Sequence, residues 1–280
     1  LQDRFVDLKW LQKRISQSGG TLSEMNDAYR GEELYHGRVA TAQDMFLRDE
    51  LKPMLEQMQR AGIGLEQIEA YLHAQHAPEA NAELAKRNLN EAQLEEKRTA
   101  INAQVRDLEL SLQRALSSGA AIQPIERALV KARAEQSQWR SAQAFAGTEV
   151  ERTSLSGMSD AKASAILAAV PDSKRSAYAA LAKKVSAIIA STREMQVKEG
   201  LITQEQANEW SSLYAHYVPL HRDEAHPASR IKMGQGFSVK GKESRSRTGS
   251  QAKVTNILAH VAAQREQAIT RAEKNLVAKR

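Results

Sequence analysis

The sequence predicts an all-α protein, an elongated helical bundle from which an antiparallel coiled-coil hairpin projects. Three observations lead there. Ala, Gln, Glu, Lys, Arg and Leu, the residues that lose least entropy in a helix, dominate the 280 residues. Six prolines and fourteen glycines punctuate the chain, so the stretches between them are long. Aromatics make up only 5% and β-branched residues rarely cluster, which favours thin packing seams over a thick globular core.

Taken in order, residues 1–80 form an N-terminal helical part. Phe5, Leu8, Leu11 and Ile15 recur at helical spacing until Gly19-Gly20 ends the run. A second helix is expected from about Leu22 to Met58, kinked or briefly broken at Pro53. A third begins at Leu65, and Pro78 is expected in the first turn of a new helix.

Residues 81–146 carry the hairpin, which reads as an insertion. Leu94, Ile101 and Leu108 occupy one heptad position and Arg98, Val105 and Leu112 its partner. Ser117-Ser-Gly-Ala-Ala turns the chain. Ile122, Ile125, Leu129, Ala132, Gln136 and Trp139 then repeat the 3,4 spacing, so two arms pair across a short turn.

Residues 147–227 form a further helical part. It has a linker from Gly147 to Gly157, helices over 160–170 and 174–199, and a capping box at Thr203 and Gln206. Residues 228–250 are expected to be an irregular basic loop. Residues 251–280 form a closing helix through Val254, Ile257, Leu258, Val261, Ile269 and Leu276. The chain opens on Leu1 and its last residues still read as helix, so a piece of a longer protein is expected, with that helix continuing.

Charge is unevenly placed. Between Ala228 and Val254 stand Arg230, Lys232, Lys240, Lys242, Arg245, Arg247 and Lys253 against a single acid, Glu243. That excess equals the +6 of the whole chain, so everything else is neutral in sum. Cations spread through Gly and Ser, with Phe237 among them, suit phosphate neutralisation by counterion release. One aromatic gives no basis for base readout. A solvated connecting loop that happens to be basic is the plainer alternative.

Several chemistries are disfavoured. With no cysteine, disulfides, thiolate nucleophiles and the usual structural zinc sites are excluded. No stretch approaches the roughly 20 apolar residues of a membrane span. Glu69, His73 and His76 could share a helical face, but no second ligand pair completes a metal site. Glu33 and His36 make a single Glu-x-x-His where a di-metal carboxylate bundle needs two. Gly234-Gln-Gly236 lacks the strand and the Lys of a phosphate loop. No enzyme, cofactor, metal or small-molecule substrate is expected.

Tyr217, Val218, Pro219, Leu220 and Arg222 follow a helix containing Trp210, Leu213 and Tyr214. On packing grounds they read as a helix stop whose extended tail lays its Val and Leu on the bundle. The run also resembles the Tyr-Val-Pro-Leu-x-Arg-Phe-Gly signature of the giant virion-internal "polyvalent" proteins of tailed phages. Asp223 and Glu224 stand where Phe and Gly would be. Tyr71-Leu-His-Ala-Gln-His76-Ala, Gly200-Leu-Ile-Thr and Arg271-Ala-Glu-Lys-Asn275 resemble further segments of that family in the same order. The resemblance implies a protein held inside the capsid near the portal and ejected into the host envelope or cytoplasm with the genome. Its partners would be other copies of itself, neighbouring virion proteins and phage DNA.

Overall fold

The computed structural model describes residues 6–20, 27–220, 254 and 256–279. Among them the fold is all-α, with no strand. Eleven α-helices are described: α1 (Val6–Gln17), α2 (Ala28–Phe46), α3 (Lys52–Arg60), α4 (Leu65–Arg87), α5 (Glu91–Ser118), α6 (Gln123–Ser141), α7 (Glu149–Arg152), α8 (Asp160–Ala168), α9 (Asp172–Lys198), α10 (Gln204–Leu213) and α11 (Ile257–Ala278). The chain divides into two compact units, one of residues 1–80 with 156–280 and one of residues 81–155.

In the first unit, Phe46, Met54, Met58 and Ile63 from the α2–α3 region meet Ile68 and Leu72 of α4. Leu181, Val185 and Ile188 of α9 and Ile257, Leu258, Val261 and Ile269 of α11 complete that core. A smaller seam joins Ala74 and Ala77 of α4 to Met158 and to Ala163 of α8.

The two prolines behave differently from one another. Just before Pro53 the α-geometry is interrupted: a π-turn, Leu47–Leu51, joins α2 to α3, and the Lys52 N–H donates to the Leu47 carbonyl. Widening the turn just upstream gives the carbonyls behind the proline ring room that an α-turn denies. At Pro78 no new helix starts, because α4 runs straight through it. A mid-helix proline costs roughly 3 kcal/mol. Burial overrides that cost here, since Ala74, His76, Ala77 and Ala80 flanking it are all 0% exposed.

The expected linker over 147–157 contains α7. Thr148 and Glu151 form its capping box, and Arg152 is buried with its Nη1 donating to the Ala85 carbonyl at 3.2 Å.

In the second unit α5 and α6 run antiparallel around Ile101, Val105, Leu129 and Ala132, with Leu108 and Leu112 against them. Gly119, in the left-handed region at φ 70°, closes α5. Glu109 pairs with Arg133 at 2.8 Å, and Asn102 accepts from Gln136 at 2.8 Å. Arg98, at a heptad seam position, closes the open end of the hairpin. Its guanidinium donates to the carbonyls of Trp139 at 3.1 Å and Ala142 at 2.8 Å, where α6 has no further N–H groups to offer them.

Candidate functional site on α4

Of the polar residues singled out by the sequence, Glu69, His73 and His76 lie on α4, and each meets a different partner there. His73 is buried, its Nε2 3.1 Å from the Ser156 carbonyl. His76 is fully buried, with the Tyr214 ring edge-on at 5.0 Å and the Tyr217 ring at 5.8 Å. Tyr214 and Tyr217 face one another at 6.0 Å. Five residues before His76, Tyr71 packs against Tyr178 of α9 at 5.0 Å. Burial pushes the Tyr178 phenol above its ordinary pKa.

The corner that brings the tyrosines there is set locally. Thr203 and Gln206 cap α10, which ends at Leu213, and Tyr214 leaves it in extended geometry. His216 then meets α4 through both of its polar groups. Its backbone N–H donates to Glu79 Oε2 at 3.0 Å, and its ring Nδ1 lies 2.7 Å from Glu79 Oε1. Val218 and Pro219 are buried beyond it, Val218 in the main core with Leu220 packed against that core. Arg222 and the seven basic residues Arg230, Lys232, Lys240, Lys242, Arg245, Arg247 and Lys253 lie outside the described residues.

On the flank of this corner, Arg193 of α9 donates from Nη1 to Ser211 Oγ at 2.6 Å. Desolvation draws its pKa down, and the neighbouring Tyr217 opposes that shift. Glu69, two turns before His76, accepts the Leu258 N–H at 3.1 Å. The Glu69–His73–His76 trio therefore points to three different tasks. His36 lies edge-on to Tyr35 at 4.9 Å, and the side chain of Glu33 lies outside those described.

The C-terminal end of α9 has a second meeting of distant segments. Gly200, at φ +72°, turns the chain after α9. Asn275 Nδ2 donates to the Glu199 carbonyl at 2.6 Å and Lys279 Nζ at 2.8 Å, so α11 caps the end of α9. A Cβ on Gly200 would stand 2.9 Å from Lys279 Nζ.

Chemically, this arrangement caps backbone ends and fills a core. Among the described residues no group of three or more His, Cys, Asp or Glu could hold a metal ion. No described helix is long and apolar enough to cross a membrane. A groove of about 370 Å³ lies on α6, lined by Gln123, Glu126, Arg127 and Val130.

Sequence reasoning missed Glu79, Arg152 and Arg193. Their partners His216, Ala85 and Ser211 lie well away along the chain, and no local spacing marks them. No protein-family model matches this chain, and neither do curated proteins or solved structures.

Proposed function

We propose that this chain is a non-catalytic helical module of a tailed-phage internal virion protein. It is carried in the capsid near the portal, released with the genome, and helps DNA cross the host envelope. One observation carries the reading. The four segments that resemble the family, far apart in sequence, pack in pairs. Residues 71–77 meet 214–217 around His76, and the turn at Gly200 meets Asn275. Family-like motifs that hold one another in place are the expected behaviour of a shared structural core.

The build supports the role. A cysteine-free helical chain held by many small contacts can unfold, pass a narrow channel and refold without breaking a covalent crosslink. Self-association through helical and coiled-coil faces, and contacts with other virion proteins, follow from the same reading. Cryo-electron microscopy of the parent particle tests it. Density for this chain inside the capsid or in a tube leaving the portal is expected. A free cytoplasmic protein with no particle would sink it.

A second reading is favoured by the charge placement alone: a helical nucleic-acid-binding module using residues 228–254. Seven cations predict a log–log salt slope near −6 on duplex DNA, at about −0.9 per phosphate neutralised. A slope near zero removes that reading.

A further inference from the structure

We infer that the π-turn over Leu47–Leu51 is a register splice, a one-residue insertion that keeps α2 and α3 facing the same core. The spacing of the buried side chains requires it. In α2, Tyr35 and Phe46 are buried, and Ala42 between them packs on the core. Residues 35, 42 and 46 recur at i, i+7 and i+11, which is one face of an α-helix. In α3, Met54 and Met58 are buried in the same core as Phe46, at i and i+4 of their own helix. Each half is in phase with itself.

The two halves are out of phase with each other. Met58 stands at i+12 from Phe46. Joined by unbroken α-helix at about 100° per residue, it would lie about 120° round the axis, turned out of the core. With one residue taken out of the count, the angle falls to about 20°. A π-turn does that. Its hydrogen bonds close from i to i+5 where an α-turn closes from i to i+4, so it holds one residue more per turn. The bond from the Lys52 N–H to the Leu47 carbonyl is of that kind.

The outer face keeps the same count. Leu47 and Leu55 are both exposed, at i and i+8. They would be about 80° apart on unbroken α-helix and are nearly aligned once one residue is discounted. Within the turn, Glu50 comes round to the α11 side, where Arg265 Nη2 donates to it at 3.1 Å. That guanidinium lies 5.8 Å from the Phe46 ring centroid, so Phe46 and Glu50 meet one partner. Room for the Pro53 ring is a second effect of the widened turn, and the phase difference would remain with any residue at 53. Asp49 is the residue the helix can spare, since it is exposed and its carboxylate pairs with the adjacent Arg48 at 2.7 Å. The splice is independent of either functional reading.

Three variants of the full chain test it, by Tm and by crystal structure. Pro53→Ala should keep the π-turn and its bond between Lys52 and Leu47. In that background, deletion of Asp49 should give unbroken α-helix from α2 into α3. Met54 and Met58 should stay buried, with Tm within about 3 °C of Pro53→Ala, the shift of roughly one weak contact. Insertion of one alanine after Arg48 should instead turn both methionines out of the core. Its Tm should fall by about 10 °C or more, the scale of losing two large buried side chains. A deletion that unfolds the protein would overturn the splice, as would an insertion that leaves Tm unchanged. So would a straight α-helix through 47–51 in Pro53→Ala, which would make the proline the cause of the turn.

Discussion

Arg98 shows how much a single side chain can settle. It occupies a heptad position meant for an apolar residue, and it stays because its guanidinium answers carbonyls at the end of α6. Arg98→Ala is expected to cost about 2–3 kcal/mol, the range for hydrogen bonds to a charged group. Arg98→Lys should recover only part, since an ammonium lacks the planar fork. Chemical denaturation of the two variants checks this. His76 is the counterpart in the first unit. His76→Ala empties a site walled by Tyr214 and Tyr217, at about 2–4 kcal/mol for a large-to-small change in a core. Near-ultraviolet circular dichroism should show the tyrosine signal collapse before the helical signal changes.

At the scale of elements, the hairpin is held by exposed carboxylates as well as by its narrow apolar seam. Glu135 is held below its usual value of 4.5, first by its hydrogen bond with Lys97 and then by the Lys97 charge. Glu149 is lowered likewise by Arg152. A carboxyl with a depressed folded pKa contributes in full above its unfolded value, and the contribution disappears as pH falls through the folded one. The hairpin unit is therefore expected to be insensitive to pH from 8 to about 5 and to lose stability below about 4.5. Trp139 lies beside this pair, with Lys97 Nζ 5.8 Å from its ring centroid. Its fluorescence in a Trp10→Phe, Trp210→Phe background reports the transition, and Glu135→Gln should flatten it.

The π-turn and α4 illustrate how far an element's own sequence goes. Helical periodicity was legible on both sides of Pro53 and Pro78, because it repeats every few residues. What happened at each proline was not, because the answer depends on neighbours. A widened turn relieved the first. The second is outweighed by the burial of its flanking residues.

The whole molecule has separate cores in its two units. Leu181→Ala, at a site 0% exposed, should cost about 3–5 kcal/mol and act on the first unit. Leu129→Ala should act on the second and cost less, since a two-helix seam collapses more easily around a cavity. Hydrogen exchange resolved by segment checks the pair. Each variant should leave the other unit's protection within error, as independent sites do.

Sequence alone determined the helical character, the arms α5 and α6 with the turn at Gly119, the cap at Thr203, and the concentration of positive charge in 228–254. Each rests on residues within a few turns of one another, where spacing and composition speak directly. Tertiary structure decided the rest. Glu79 finds His216 across 137 positions, Glu69 finds Leu258 across 189, and Arg38 finds Glu273 across 235. A carboxylate on a helix face reads the same whether it meets water or a distant backbone N–H, so only the packing of α4 against the corner after α10, and of α11 against α2, could assign those roles.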